Sequence, residues 1–325
     1  MRNRSSISSS RFLRSGLLWT VVAVIALEAW LGRALPPRYF RHEVDELLHA
    51  LDHRSYSARV LSLGNSVGRQ LDMGIAKVEP GFLEPMASNG SLETTGQYLL
   101  LRRYLERNPA PEVLVLWLDN PFAGSLDLIY TENYIKRCFL RWREIGLLGA
   151  WKGSPSFTAG MIAYKLLPSF RYRMDLQQEI PFLDVTRVHL DLQNAQRAQT
   201  GIGKPTSAFA RTWQRWLHGD QSLSAVAFER LLALCQARGI QVYLVPVPMP
   251  RKEFERREKK LGRTEINARL AALQARYPVL HYQPAARPYP DEWFPDNTHF
   301  APDYVPAISR EYLSFLKEWM ADDPR

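Results

Sequence analysis

The sequence has only two cysteines, Cys138 and Cys235, among 325 residues. Neither cysteine has a cysteine or histidine neighbour at the spacing of zinc ligands, so we expect neither a metal site nor a cofactor. Both cysteines lie in apolar helical stretches that are typical of buried free thiols. If the chain is exported, a disulfide between the two cysteines is possible, but their apolar helical surroundings favour free thiols.

The sequence also lacks any recognised nucleic-acid-binding module, although its formal net charge is +9. Part of that charge lies in four arginines near the N-terminus. Another part lies in residues 251–260, where acidic and basic residues are mixed as on a solvated helical face. We therefore expect no nucleic-acid partner. Attraction to anionic lipid headgroups or to an acidic polysaccharide fits this charge better.

No acidic residue precedes Glu28, whereas four arginines precede an apolar run at residues 16–32. Basic residues before an apolar segment place the N-terminus in the cytoplasm and the following chain outside it. Trp19 and Trp30 lie where interfacial aromatic residues are expected. The run therefore predicts an uncleaved signal anchor, with the lipid bilayer as a partner of the chain.

Two other interpretations of the apolar run stay open. A cleaved signal peptide needs small residues at the cut, which Gly32-Arg33-Ala34 supplies, but the following Leu35-Pro36 disfavours cleavage there. A buried core helix would leave the upstream arginines unexplained. The predicted organisation is a basic tail at residues 1–15, a transmembrane anchor at 16–34 and an exported domain at 35–325.

Short runs of β-favouring residues alternate with helical patterns through most of the remaining chain. Predicted strands cover residues 58–63, 113–118, 240–247 and 279–282, and predicted helices cover 92–107, 225–238, 266–276 and the segments that start at Val67 and Pro306. This alternation predicts an α/β fold, with a mostly parallel sheet flanked by helices in three layers. Residues 121–223 do not show this alternation of strand and helix patterns, so we expect a helical insertion there. Its many aromatic residues either form its own core or stack on sugar rings.

Two short motifs at opposite ends of this pattern suggest chemistry. The first predicted strand ends in Gly64-Asn65-Ser66, and a later loop contains Asp296 and His299. A serine hydroxyl needs a base to become a nucleophile near neutral pH, and a histidine is suited to that task. A carboxylate on the other ring nitrogen fixes the histidine tautomer and stabilises the imidazolium. We therefore predict a catalytic set of Ser66, His299 and Asp296.

These motifs resemble the sequence blocks of the SGNH (GDSL-like) hydrolase superfamily. Its first block, Gly-Asp-Ser, reads here as Gly64-Asn65-Ser66, and its last block, Asp-x-x-His, reads as residues 296–299. Gly90 is the counterpart of the glycine in the second block, and Asn120 is the counterpart of the asparagine in the third. The resemblance implies an oxyanion hole formed by the N–H groups of the serine and Gly90 with the Asn120 side chain. The chain departs from the family in having asparagine before the serine and no glycine in the third block.

The resemblance implies a flavodoxin-like fold and a serine-dependent esterase or O-acyltransferase that acts on acylated glycans of a bacterial cell envelope. With the predicted anchor, the chain would be held once in the inner membrane with its main domain in the periplasm. Hydrolysis and transfer share an acyl-serine intermediate, and the sequence leaves both open. The alternative is an inactive SGNH-like scaffold that binds a protein partner in an envelope assembly. The presence of all three predicted catalytic residues argues against the scaffold.

Overall fold

The computed structural model describes residues 7–35, 43–88, 93–122, 135–172, 176, 223–260, 263–296 and 298–322. The side chains of residues 7–15 and 257–263 are not included in that description. Gly90 and most of the predicted insertion, namely residues 123–134, 173–175 and 177–222, lie outside the described residues.

A parallel sheet of five strands forms the centre of the larger of two compact units. Its strands follow the spatial order β2-β1-β3-β4-β6, and every neighbouring pair is parallel. Two further strands, β5 and β7, pair in a separate parallel ribbon. The strands are β1 (Val60–Gly64), β2 (Glu84–Pro85), β3 (Val113–Trp117), β4 (Gln241–Val245), β5 (Met249–Pro250), β6 (Leu280–Tyr282) and β7 (Pro288–Tyr289).

Helices alternate with these strands along the chain. They are α1 (Ile7–Ala34), α2 (Glu43–His53), α3 (Ser66–Val78), α4 (Thr94–Tyr104), α5 (Trp142–Lys152), α6 (Pro155–Leu166), α7 (Pro168–Arg171), α8 (Leu223–Arg238), α9 (Arg251–Lys260), α10 (Arg263–Arg276) and α11 (Val305–Ala321). A 3₁₀ turn, Asp291–Trp293, lies between β7 and α11. The alternation confirms the predicted α/β fold with a mostly parallel sheet.

Helices cover both faces of the sheet. Val113, Val115 and Trp117 of β3 lie in a core cluster with residues of α3 and α11. The intervening residues Leu114 and Leu116 point to the opposite face, because side chains alternate along a strand, and they are fully buried as well. Helices α4 and α8 pack against each other and cover that second face. Burial on both faces explains why β3 is an unbroken apolar run in the sequence.

The smaller unit comprises Met1–His42 and Leu140–Trp213, and the larger comprises Glu43–Phe139 and Gln214–Arg325. Within the smaller unit, Gly16–Ala34 of α1 is 19 residues long and has a mean hydropathy of 1.6, and none of its residues is buried in the part of the chain that the structure describes. This stretch is long and apolar enough to cross a membrane, as an anchor or as a signal sequence. Helices α5, α6 and α7 of this unit fall inside the predicted insertion at 121–223. The predicted domain boundaries stay a prediction.

Candidate active site

Ser66 is the first residue of α3, directly after the buried strand β1. Asn65 caps the helix, and its Oδ1 accepts hydrogen bonds from the N–H groups of Val67 and Gly68, each at 3.1 Å. The Ser66 N–H has no acceptor inside the helix, because the first N–H groups of any helix lack one. That N–H therefore stays available for a bound anion at the positive end of the helix dipole.

The turn around Ser66 contains glycines because Trp117, at the end of β3, packs closely against it. A Cβ atom on Gly64 would lie 2.7 Å from the Cβ of Trp117, and one on Gly68 would lie 2.5 Å from the same atom. Neither distance is compatible with normal packing, so both positions exclude a side chain. The absence of these two side chains lets the strand–helix turn approach the neighbouring strand closely and fixes the position of Ser66.

The loop between the 3₁₀ turn and α11 places His299 against the serine. His299 Nε2 lies 2.8 Å from Ser66 Oγ, and His299 Nδ1 lies 2.6 Å from Asp296 Oδ2. The other carboxylate oxygen of Asp296 accepts the backbone N–H groups of His299 at 2.6 Å and Thr298 at 2.9 Å. The three side chains predicted from the sequence are therefore joined in one hydrogen-bonded chain. Their catalytic role stays a prediction.

The same contacts keep Asp296 ionised. Hydrogen bonds from the backbone N–H and the ring of His299 lower the pKa of Asp296 to about 2. An ionised carboxylate can only accept, so His299 Nδ1 must carry the proton that it donates to Asp296. In the neutral imidazole, Nε2 is then the nitrogen that can accept a proton, and it faces the Ser66 hydroxyl. This is the tautomer that a general base requires.

Gln70 fixes the histidine loop from the nucleophile's own helix. It lies one turn after Ser66 on α3, and its side chain forms two hydrogen bonds with the backbone of Phe300. Gln70 Nε2 donates to the Phe300 carbonyl at 3.2 Å, and Gln70 Oε1 accepts the Phe300 N–H at 3.1 Å. Because Phe300 directly follows His299, this pair of bonds sets the distance between the base and the serine.

Aromatic packing closes the same loop at its base. The Ala301 N–H donates to the Trp293 carbonyl at 2.8 Å, and the Trp293 ring stacks on Tyr304 with centroids 4.6 Å apart. Phe294 and Phe300, inside the loop, are both buried and lie 4.9 Å apart. Asp296 and His299 therefore lie in a loop whose neighbouring residues Phe294 and Phe300 are anchored in the core.

Asn120 lies at the same edge of the sheet as Ser66. Gly64 of β1 pairs with Trp117 of β3, so Asn120 follows its strand end by three residues and Ser66 follows its own by two. Asn120 Oδ1 accepts the Phe122 N–H at 3.0 Å, whereas its Nδ2 is buried and has no hydrogen-bond partner among the described residues. A buried donor of this kind is suited to an oxygen of a bound ligand. Gly90, the other predicted oxyanion residue, lies outside the described residues.

A buried polar cluster lies beneath the nucleophile turn. Ser62 Oγ lies 2.7 and 2.8 Å from the two carboxyl oxygens of Asp72, and Trp117 Nε1 donates to both Ser62 Oγ and Asp72 Oδ1 at 2.7 Å. Burial raises the pKa of Asp72 to about 7, against the opposing effect of these hydrogen bonds. The cluster joins β1, α3 and β3, the three elements that position Ser66 and Asn120.

A cavity lies at the other end of the sheet. Its volume is about 980 Å³, and residues at the amino ends of the strands, including Val60, Val113 and Gln241, line it. Ligands of open α/β sheets bind at the carboxyl ends of the strands, where Ser66 lies. We therefore do not assign this cavity to the chemistry of Ser66.

Both cysteines are buried, and burial raises the pKa of the Cys235 thiol well above its ordinary value. Among the described residues, no group of three or more histidine, cysteine, aspartate or glutamate side chains is placed to hold a metal ion. Ser66, His299 and Asp296 make up a complete set for proton transfer and nucleophilic attack by themselves.

Sequence patterns did not reveal Gln70 or Asp72. Gln70 shares a helix face with Ser66 because the two are four residues apart, and that spacing was the only available signal. Ser62 is a clearer signal of the buried polar cluster, since it is a polar residue inside the apolar run Val60–Leu63. A buried hydroxyl needs a hydrogen-bond partner, but the sequence does not show which residue supplies it.

Comparisons with known proteins leave the family open. No family model matches the chain, and no curated protein matches it. A solved structure of a Streptococcus pneumonia protein, whose description names platelet activating factor, is similar to this chain with 10% sequence identity and a TM-score of 0.37. That similarity covers 91% of this chain and 99% of the other.

Proposed function

We propose that this chain is a serine-dependent acyl-ester hydrolase or O-acyltransferase of the SGNH type. The hydrogen-bonded chain from Ser66 through His299 to Asp296 is the observation that supports the proposal most directly. It presents a hydroxyl at a helix N-terminus, an imidazole nitrogen 2.8 Å from that hydroxyl and a carboxylate at the other ring nitrogen. Such an arrangement is suited to forming and resolving an acyl-serine.

The reaction divides into two steps that use the same groups. Ser66 Oγ attacks the acyl carbon while its proton passes to His299 Nε2, and the ester carbonyl becomes an oxyanion. The Ser66 N–H and Asn120 Nδ2 donate to that oxyanion, together with the N–H of Gly90. His299 then protonates the departing alcohol oxygen as the bond to the acyl carbon breaks. In the second step, water or a sugar hydroxyl gives its proton to His299 and attacks the acyl-serine. His299 then returns a proton to Ser66 Oγ as the bond between Oγ and the acyl carbon breaks, which restores the free serine.

The proposal also includes a cellular location for the protein and a substrate class. Helix α1 would hold the chain in a bacterial inner membrane, since basic residues precede an apolar stretch that has no buried residue in the described part of the chain. The Ser66 site would then lie on the periplasmic side. Acylated glycans of the cell envelope are the esters that we propose as substrates, because SGNH-like proteins with such an anchor commonly transfer or remove acyl groups on envelope glycans.

Asn65, in place of the aspartate of the SGNH block, does not weaken the proposal. Its side chain caps α3 by accepting two backbone N–H groups. Asparagine and aspartate are about equally good in this position, so the substitution preserves the geometry of the turn. The replacement therefore gives no support to the alternative of an inactive scaffold.

Labelling with a fluorophosphonate probe tests the proposal. We expect the full chain in detergent micelles to form a covalent adduct at Ser66 and to hydrolyse p-nitrophenyl acetate. Ser66→Ala should lose both properties, because it lacks the nucleophile. Ser156→Ala, which changes an exposed serine of α6, is the matched control and should behave as the parent.

Absence of labelling, with turnover equal in the parent and Ser66→Ala, would falsify the enzyme and favour a scaffold. Hydrolysis and transfer can be separated with the same preparation. Mass spectrometry of products formed with and without an added oligosaccharide acceptor shows whether a sugar hydroxyl competes with water for the acyl-serine.

Gln70→Met is expected to lower kcat for p-nitrophenyl acetate by about 10- to 100-fold with little change in KM, because small displacements of a catalytic base have effects of that size. The variant keeps the side-chain volume but removes both bonds to Phe300. Gln274→Met is the matched control, since Gln274 Nε2 donates to the Leu280 carbonyl at 2.8 Å in another part of the unit. Steady-state kinetics and thermal unfolding are compared for both variants.

The two variants should lose similar thermal stability, since each removes a glutamine–backbone contact, while only Gln70→Met loses kcat. The rate of fluorophosphonate labelling should fall together with kcat, because it reports how well His299 activates Ser66. If Gln70→Met keeps kcat within about twofold of the parent, Gln70 does not position the base.

A further inference from the structure

Helix α1 carries one acidic residue inside its apolar stretch. Glu28 lies six residues before the end of the stretch at Ala34, and the surrounding large apolar side chains, including Leu27 and Trp30, are exposed. A carboxylate at this position is unfavourable next to lipid unless other groups satisfy it. The partners of Glu28 are therefore informative about what lies beside the helix.

Ser169 provides the hydrogen bonds to Glu28, and Pro168 packs on the same helix. The Ser169 N–H donates to Glu28 Oε2 at 3.0 Å, and the Ser169 hydroxyl donates to Glu28 Oε1. One turn further along α1, a Cβ on Gly32 would lie 3.2 Å from Cγ of Pro168, so glycine lets the proline ring pack directly on the helix. The start of α7 thus lies along the last two turns of α1.

These contacts determine the depth of the segment if α1 crosses the bilayer. Glu28 lies about 9 Å from the end of the apolar stretch at Ala34, given the rise of about 1.5 Å per residue. A stretch of 19 residues is nearly as long as the hydrocarbon core is thick. Ser169 and Pro168 must then lie inside the outer half of the hydrocarbon, within about 9 Å of its boundary, and not in the aqueous phase.

The residues next to this contact have the character of a membrane interface. Leu166 and Leu167, which join α6 to α7, are 57% and 38% exposed. Trp142 is 57% exposed, and Lys165 Nζ lies 4.9 Å from the centre of its ring. Exposed leucines beside a tryptophan and a lysine are typical of segments with apolar chains in the acyl region and polar ends among the headgroups.

We propose that residues 166–169 dip into the outer leaflet of the bilayer beside α1, with Leu166 and Leu167 against lipid acyl chains. Glu28 holds the segment against α1, because its carboxylate accepts hydrogen bonds from both the N–H and the hydroxyl group of Ser169. The inference rests on the proposed anchor with the following chain outside. It adds a second membrane contact, made by the insertion, to the one made by α1.

Depth-dependent fluorescence quenching tests the inference on the full chain in vesicles of phosphatidylcholine and phosphatidylglycerol. A fluorophore is attached to cysteine in Leu166→Cys, Leu167→Cys or, in the middle of α1, Val22→Cys. The parent chain, whose two cysteines are buried, gives the background. We expect shallow spin-labelled lipids to quench labels at 166 and 167 strongly and deep spin-labelled lipids to quench the label at 22.

The outcomes of this experiment test the inference separately from the proposed anchor on which it rests. Quenching of the label at 22 without quenching at 166 and 167 overturns the inference and leaves the anchor intact. Absence of quenching at all three positions overturns the anchor and the inference together. With the added substitution Glu28→Leu, which keeps α1 apolar but removes the attachment to Ser169, quenching at 166 should fall while quenching at 22 persists. Unchanged quenching at 166 would contradict the role of Glu28.

Discussion

Asp296→Asn is expected to lower kcat for ester turnover by about 10⁴-fold while leaving the fold intact, as the same change does in serine proteases. Its side-chain oxygen can still accept the N–H groups of His299 and Thr298, so the loop should keep its shape. Its amide, however, would donate to His299 Nδ1. The histidine would then carry its proton on Nε2, and it could not accept the proton of Ser66 Oγ.

Steady-state kinetics of p-nitrophenyl acetate hydrolysis measures this effect, with circular dichroism to verify folding. Asp303→Asn is the matched control, because Asp303 is an exposed aspartate only seven residues further along the chain. The control should keep the parent kcat. A folded Asp296→Asn variant with kcat within about tenfold of the parent would show that Asp296 does not orient the base.

The free energy of unfolding is expected to fall as pH rises from about 4 to about 7, by up to about 4 kcal/mol from Asp72 alone. Burial raises the pKa of Asp72 in the folded protein to about 7, whereas an aspartate in the unfolded chain has an ordinary pKa of about 3.9. Between these values the folded state holds a proton that the unfolded state releases. This contribution is fully present below about pH 4 and is lost as the pH rises through about 7.

Urea unfolding at pH 5 and pH 8, followed by circular dichroism, measures this dependence. Asp72→Asn cannot ionise, so the difference in unfolding free energy between the two pH values should become smaller or change sign. The comparison uses the pH difference within each protein, because the amide also alters the hydrogen bonds to Ser62 and Trp117. Asp322→Asn, at an exposed aspartate, is the control. An identical pH difference in Asp72→Asn and the parent would exclude ionisation of Asp72 in this range.

Much of the fold was predictable because its signals are local. The strand Val113–Trp117 is an unbroken apolar run in the sequence, and α8 ends at Arg238 just before Gly239, a residue with positive φ. Pro306 opens α11 as expected, and the inward residues Ile308 and Tyr312 are buried. Each of these features depends on neighbours within a few residues, so a periodic pattern or a single stop signal predicts it.

The residues of the candidate site were also predictable from the sequence. A serine after a first strand and an Asp-x-x-His motif in a late loop predict which atoms would attack, accept a proton and orient the base. Their meeting across 233 residues is a property of the sheet, since parallel strands bring their carboxyl ends to one edge. The order of the motifs along the chain was enough to anticipate that meeting.

Only the tertiary structure decided how the site is held. The two bonds from Gln70 to Phe300 join residues that are 230 positions apart, and the contact of Trp117 with Asp72 spans 45. The partner of Glu28 likewise lies 141 residues away, in the insertion. A hydrogen bond requires atoms about 3 Å apart, and composition or periodicity gives no information on distances between remote segments. Packing and strand register set those distances, and they exist only in the folded chain.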